Sequence, residues 1–182
     1  MSRGRIEVIT GGMYSGKSEE LVRRLRRAEI AHKRVRAIKH ASDDRYHQTS
    51  IGSHTGVLFE AVPLSSVAEM GFVVKGIQVL GIDEAQFFHP GLVDFCDEMA
   101  NLGLRVIVAG LDQDSSGKPF GPIPHLMAIA EEVTKLHAVC VICGEEASRS
   151  YHKGGKTEQV EVGASQYEAR CRTCWGIGRR TR

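Results

Sequence analysis

Arg5-Ile6-Glu7-Val8-Ile9, then Gly11-Gly12-Met13-Tyr14-Ser15-Gly16-Lys17-Ser18, then a run to Ala28 with Leu21, Val22, Leu25 and Ala28 three or four residues apart open the chain. Alternation in the first piece reads as a strand, and the spacing in the last reads as one face of a helix. The middle piece fits G-x-x-x-x-G-K-[ST], in the strand-to-helix setting that gives this pattern its meaning. Its glycines let the backbone curl so that N–H groups face phosphates, and the helix N-terminus adds partial positive charge. Lys17 is expected to reach the β- and γ-phosphates of a nucleotide and the Ser18 hydroxyl to ligate Mg²⁺. A glycine turn without a ligand is the alternative, and the strand–loop–helix context argues against it.

The rest of the chain continues the alternation of strand and helix. Arg34 to Lys39 reads as a second strand, followed by a polar stretch from Ala41 to Gly56 without a clear period. Val57 to Val62 reads as a strand, Leu64 to Met70 as a short helix after Pro63, and Ile77 to Ile82 as a buried strand. Pro90 is expected to open a helix that carries Leu92, Val93, Phe95, Cys96, Met99 and Leu102 and stops at Gly103. Arg105 to Leu111 is nearly all apolar, as a central parallel strand covered on both faces would be. A glycine- and proline-rich loop, a helix over His125–Ala130 and a strand over Val133–Leu136 complete an open α/β sheet of the nucleotide-binding kind, with helices on both faces. From His137 onward paired cysteines and glycines replace core residues. The expected division is therefore an α/β domain over 1–136 and a small module over 137–182.

The apolar strand Val79-Leu80-Gly81-Ile82 ends in Asp83-Glu84, delivering two carboxylates to the edge where open α/β sheets bind ligands. Beside a phosphate loop, an Asp there holds Mg²⁺ and a neighbouring carboxylate orients or deprotonates the nucleophile. Asp83 is thus read as the metal-side residue and Glu84 as the base. The pair leaves the nucleophile open: water in an ATPase, a substrate hydroxyl in a small-molecule kinase.

Cys140-Val141-Ile142-Cys143 and Cys171-Arg172-Thr173-Cys174 are two C-x-x-C knuckles on either side of residues 144–170. Four thiolates suit tetrahedral Zn²⁺ and leave no open coordination position, so the metal is expected to be structural. Its task would be to fold a module too small for its own core, with the insert as a loop tied at both ends. Cys96, amid an apolar helical face, reads as packing.

At 182 residues the chain can bury one proper core, and 42% hydrophobic with 25% charged residues describes a globular protein. A net charge of +2 does not call for a duplex-binding surface, although Arg23, Arg24, Arg26 and Arg27 cluster on one helix. They are expected to be a solvated face. No apolar run reaches the ~20 residues of a membrane span. Met1 to Gly12 lacks the apolar stretch and cleavage site of a signal peptide, and the cytoplasm is the expected compartment.

The phosphate loop, Asp43-Asp44-Arg45-Tyr46, Asp83-Glu84-Ala85-Gln86-Phe87-Phe88, Lys118-Pro119-Phe120-Gly121 and the two knuckles flanking Val160-Glu161-Val162-Gly163 occur in that order. From about Ile6 to Cys174 this order resembles the zinc-containing thymidine kinases. The resemblance implies transfer of the γ-phosphoryl group of ATP to the 5′-hydroxyl of deoxythymidine, with Glu84 as general base. It implies a thymine-reading loop of Val160, Glu161, Val162, Gly163 and Tyr167, and a base pocket of Met13, Phe87, Leu111 and Phe120. Asp43 and Arg45 match a segment near the phosphates, and Gln86 is grouped with the nucleotide side of the site. It implies further a homotetramer and inhibition by thymidine triphosphate, with neither nucleic acid nor membrane as partner. Where many members carry an aromatic residue after Leu111-Asp112, this chain has Gln113-Asp114-Ser115-Ser116, with Ser115 at the matching position. The competing readings are a P-loop ATPase or GTPase switch, and a zinc-ribbon nucleic-acid-binding module.

Overall fold

The computed structural model describes residues 4–42, 49–52, 58–154 and 166–180. Six strands form one parallel sheet: β1 (Arg5–Gly11), β2 (Val35–His40), β5 (Val62–Leu64), β6 (Val79–Asp83), β7 (Arg105–Gly110) and β8 (Glu132–Leu136), in the order β5-β2-β6-β7-β1-β8. Two short strands, β3 (Ser50–Gly52) and β4 (Leu58–Glu60), pair antiparallel beside it. The helices are α1 (Lys17–Ile30), α2 (Met70–Val73), α3 (Leu92–Asn101) and α4 (Ile123–Ile129). After them come β9 (Ala138–Val139), β10 (Glu146–Ala147), β11 (Arg149–His152), β12 (Tyr167–Arg170) and α5 (Arg172–Arg180). Among the described residues no helix is long and apolar enough to cross a membrane.

Alternation along each strand sorts the core into two layers. Ile9, Ala37, Val79, Ile107 and Ala109 meet Leu21, Val22, Leu25 and Ala28 of α1. On the other face Ile6, Val8, Ile38, Leu80, Ile82, Val106 and Val108 meet Leu92, Cys96 and Met99 of α3 and Ile123 and Leu126 of α4. Cys96 is core packing as expected, and burial pushes its thiol up to about 12. Between β1 and β2 in space lie β7 and β6, so the chain crosses over the sheet through α1 before returning. That arrangement puts the carboxyl ends of β1, β6 and β7 side by side, where the ligand crevice of an open α/β sheet forms.

Two local expectations fail. The strand expected over Val57–Val62 is two strands, β4 and β5, meeting at buried Ala61; Val57 itself lies outside the described residues. The helix expected over Leu64–Met70 starts later, as a turn of 3₁₀ helix over Val67–Glu69 that runs into α2. Pro63 and Leu64 instead complete β5 at the sheet edge, where a missing N–H costs no ladder bond. The helix begins where it does because Ser66 and Glu69 form a reciprocal capping box.

The arginine cluster is also not simply a solvated face. Arg24 is buried, and its guanidinium donates to Glu7 Oε2 at 2.7 Å, to Glu20 Oε1 at 2.8 Å and to Thr134 Oγ1 at 2.9 Å, with Glu132 Oε1 at 2.8 Å. Glu7, on β1 facing α1, is 1% exposed and also accepts from Arg5 at 2.6 Å and from Arg105 at 2.6 and 2.9 Å. Glu7 and Glu132 are register partners on adjacent strands. Two carboxylates so placed repel, and Arg24 from the helix above is the cation that bridges them.

Burial alone would raise the Glu7 carboxyl, but the hydrogen bonds from Arg105, Arg24 and Arg5 outweigh it and hold the group at about 2 against an ordinary 4.5. The folded value lies below the unfolded one. Its stabilisation is therefore present above about pH 4.5 and is lost as pH falls toward 2. Glu7→Gln is expected to lower unfolding free energy at neutral pH by about 3 kcal/mol, because the three arginines around it lose a buried counter-charge. In urea unfolding between about pH 6 and about pH 3, the wild type should lose more stability than Glu7→Gln, which carries no group to titrate there. Equal slopes for the two proteins would contradict this role of Glu7.

Candidate active site

The loop between β1 and α1 is built on backbone that side chains tolerate poorly. Gly11, Tyr14 and Gly16 have φ of 140°, 65° and 83°, and Gly16 is the residue that caps the N-terminus of α1. Lys17 Nζ and Ser15 Oγ both donate to the carbonyl of Gly12 at 2.8 Å. Lys17 is thus folded over the loop, and Ser18 stands in the first turn of a 14-residue helix whose dipole favours an anion at this end.

Asp83 ends β6, and both Asp83 and Glu84 are buried. Glu84 has φ 51°, a left-handed conformation uncommon for a residue with a side chain, and its own N–H donates to Asp83 Oδ1 at 3.0 Å. The Glu84 carboxylate is fixed from the far side: Gln86 Nε2 donates to its Oε2 at 2.6 Å, and Gln86 Oε1 accepts from the Leu111 N–H at 3.0 Å. One buried amide therefore ties the acidic pair on β6 to the residue that follows β7. Close approach by Gly121 makes this possible; at φ 53°, a Cβ there would stand 2.2 Å from the Gln86 carbonyl oxygen.

Aromatic rings line the adjoining wall. Phe87 and Phe120 meet edge to face with centroids 5.8 Å apart, and His40, the last residue of β2, lies 5.8 Å from Phe87 and 4.7 Å from Phe88. His40 Nδ1 also pairs with the Ser42 hydroxyl at 2.7 Å. Burial lowers the imidazole pKa, against an opposing pull from the charge of Glu84. Sequence reading missed His40 because one histidine after a strand carries no pattern. Phe120 is held by its N–H donating to the Asp112 carbonyl at 3.1 Å, and Asp112 is ion-paired with Lys135 at 2.6 Å.

The residues that follow β8 reach back to the phosphate loop. Met13 N–H donates to Ser150 Oγ on β11 at 3.0 Å, and Tyr14 Oη donates to the Tyr167 carbonyl on β12 at 3.2 Å. Met13, Tyr14, Tyr167 and the paired strands β11 and β12 thus share one wall. Asp43, Arg45, Val160, Glu161, Val162 and Gly163 lie outside the described residues.

Cys140, Cys143, Cys171 and Cys174 come together with their four sulfurs within 4.8 Å of one another, and Cys143 and Cys171 are 3.7 Å apart. Sulfurs about 2.3 Å from a common tetrahedral Zn²⁺ lie ~3.8 Å apart, so the cluster fits that ion. Burial pushes the Cys140 thiol up, but backbone N–H groups at Cys171, Cys143 and Ile142 more than offset this and pull it down. Cys174 is pushed up by its hydrogen bonds with Cys171 and the other sulfurs. Four sulfurs this close resist carrying four negative charges, which a divalent cation at their centre would relieve.

The family model described as thymidine kinase matches residues 4–175. A thymidine kinase of Bacteroides fragilis is 51% identical over 174 residues, covering 95% of this chain and 87% of that protein. One from Rhodothermus is 49% identical over 175 residues, covering 96% and 82%, and one from Halobacterium salinarum is 48% identical over 189 residues, covering 97% and 96%. With the phosphate loop, the acidic pair and the cysteine cluster in one fold, and likeness of this extent along nearly the whole sequence, the chain belongs to the thymidine kinase family.

Proposed function

We propose that this thymidine kinase moves the γ-phosphoryl group of ATP to the 5′-hydroxyl of deoxythymidine, giving thymidine monophosphate and ADP. The observation that carries this is the placement of Glu84. It directly follows β6, which only β7 separates from the strand that leads into the phosphate loop, and the amide that orients its carboxylate also accepts from the Leu111 N–H after β7. A base held between a phosphate site and an apolar slot suits a nucleoside hydroxyl better than free water.

In this reading Gly11 to Ser18 hold the ATP phosphates, with Lys17 on the β- and γ-groups. Oxygen donors Ser18 and Asp83 would hold Mg²⁺, which spreads the charge of the transferring group. Glu84 accepts the proton of the 5′-hydroxyl as that oxygen bonds to the γ-phosphorus and the bond to the β–γ bridging oxygen breaks. Gln86 acts through Glu84 as a positioning residue. Met13, Phe87, Leu111 and Phe120 pack the base, while Tyr167 and the segment Val160, Glu161, Val162 and Gly163 close over it. Asp43 and Arg45 steady charge near the phosphates.

Residues 1–136 form the ATP-binding domain in this proposal, and 137–182 a module stapled by structural Zn²⁺ on Cys140, Cys143, Cys171 and Cys174. Four thiols kept for a metal suit a reducing compartment, so we place the protein in the cytoplasm. Family likeness alone supports a homotetramer and inhibition by thymidine triphosphate.

ADP release with MgATP should rise strongly on adding thymidine, and Glu84→Gln should lower that turnover by roughly 10²–10⁴-fold with ATP binding nearly intact. Steady ATP hydrolysis that no nucleoside stimulates would sink the kinase reading and leave a P-loop ATPase. Metal analysis of the purified protein should find one zinc per chain, and Cys171→Ser should lose it together with protease resistance of the C-terminal segment. Full zinc retention by Cys171→Ser would contradict the four-thiolate site.

A further inference from the structure

The loop from Asp112 to Phe120 is closed on itself. Asp114 Oδ1 accepts from the N–H groups of Ser116 and Lys118, both at 2.9 Å, and from the Ser116 hydroxyl at 2.7 Å. Gly117 N–H donates to the Asp114 carbonyl at 3.0 Å, and the Phe120 N–H returns to Asp112. Such a loop moves as a unit, and what holds its tip sets where Phe120 stands.

The tip is held by the cysteine-bearing segment. Trp175, adjacent to Cys174 on α5, donates Nε1–H to the Ser115 carbonyl at 3.3 Å, and its own N–H donates to the Cys171 carbonyl at 2.9 Å. Arg149, on β11, lies over the Trp175 ring at 5.2 Å, donates to the Gln113 side chain and reaches the Gly117 carbonyl at 3.5 Å. Gly117, at φ 81°, lets both approach; a Cβ there would meet Arg149 Nη1 at 2.9 Å and the Trp175 ring at 3.2 Å. The next residue on β11, Ser150, accepts the phosphate-loop N–H of Met13.

We propose that Arg149 and Trp175 are positioning residues of the nucleoside pocket, transmitting the order of the four-cysteine cluster through the Asp112–Phe120 loop to the ring of Phe120. The aromatic ring absent from position 115 is supplied to this loop from behind by position 175, where it grips the backbone of the loop instead of the base. The cysteine cluster then sets affinity for thymidine without touching it. This rests on Phe120 lining the thymidine pocket, as proposed above.

Trp175 is the single tryptophan of the chain, so its emission reads this contact directly. Thymidine-stimulated ADP release by the wild type is measured first; its absence would defeat the kinase reading itself. In its presence, Arg149→Met and Trp175→Phe should raise KM for thymidine about tenfold, the scale of one lost hydrogen bond to a charged or buried partner. kcat and KM for ATP should stay within about twofold, with one zinc still bound per chain. Trp175→Phe keeps a ring beneath Arg149, so Trp175→Ala should raise KM further. Thymidine should shift the tryptophan emission of the wild type but not of Arg149→Met. Should Trp175→Ala lose zinc, Arg149→Met and Gly117→Ala, both away from the cysteines, decide the matter. Zinc-replete variants with thymidine KM unchanged, KM values for ATP and thymidine rising alike, or wild-type emission unmoved by thymidine would each overturn the proposal.

Discussion

Glu7 is a carboxylate buried in the first strand of a parallel sheet, and it is tolerable there only because three arginines surround it. Arg24 comes from α1 and Arg105 from β7, and Arg24 also spans to Glu132 on β8. The ion network therefore fixes the roll of α1 against three neighbouring strands, which apolar packing alone specifies less sharply. Because α1 begins at Lys17, the same constraint fixes where Lys17 and Ser18 stand. Buried ionic groups of this kind add less to stability than their number suggests, and what they contribute here is a single seating of the helix.

At the opposite, carboxyl edge of the sheet a second buried polar link performs the matching task for the chemistry. Gln86 uses one end of its amide on Glu84 and the other on Leu111, so the carboxylate after β6 and the backbone after β7 cannot drift apart independently. Glu84 accepts an uncommon backbone conformation as part of the same arrangement. Strain held at such a point is compensated by the packing of β6 between β2 and β7. His40 adds a ring to the aromatic wall while feeling the charge of Glu84, which therefore stands at the border between a polar and an apolar region.

The segment after β8 is small, and its hydrophobic cluster is made of small residues: Ala138, Cys140, Ala147 and Ala169, with the partly buried Cys171 and Cys174 against them. So few apolar atoms supply little of the driving force for folding, and the four cysteines gathered at one point offer a metal ion the staple that such a segment needs. The segment nonetheless touches both halves of the site, through Ser150 and Tyr167 on the phosphate loop and through Arg149 and Trp175 on the loop that carries Phe120.

Local pattern in the sequence was enough for the features that depend on neighbours along the chain. The phosphate loop, the alternation of strand and helix, the acidic pair at the end of an apolar strand and the two cysteine knuckles are each written within a few residues, because turn geometry, periodicity and ligand spacing act at that range. Element bounds failed where a competing local device was stronger, as at Pro63 and at the Ser66–Glu69 capping box. Burial of Arg24 could not be read, since its helix spacing is that of a surface residue and its partners Glu7 and Glu132 lie on strands far apart in sequence. The same holds for Gln86 with Leu111, Arg149 with Gln113, and Trp175 with Ser115. Each pairs a side chain with a group brought near only by strand order and by the return of the C-terminal segment across the sheet. Sequence by itself determined the kinds of chemistry present and the fold class that carries them. Tertiary structure alone decided which polar groups are buried together, because desolvation and hydrogen-bond geometry are properties of the assembled fold and leave no period in the chain.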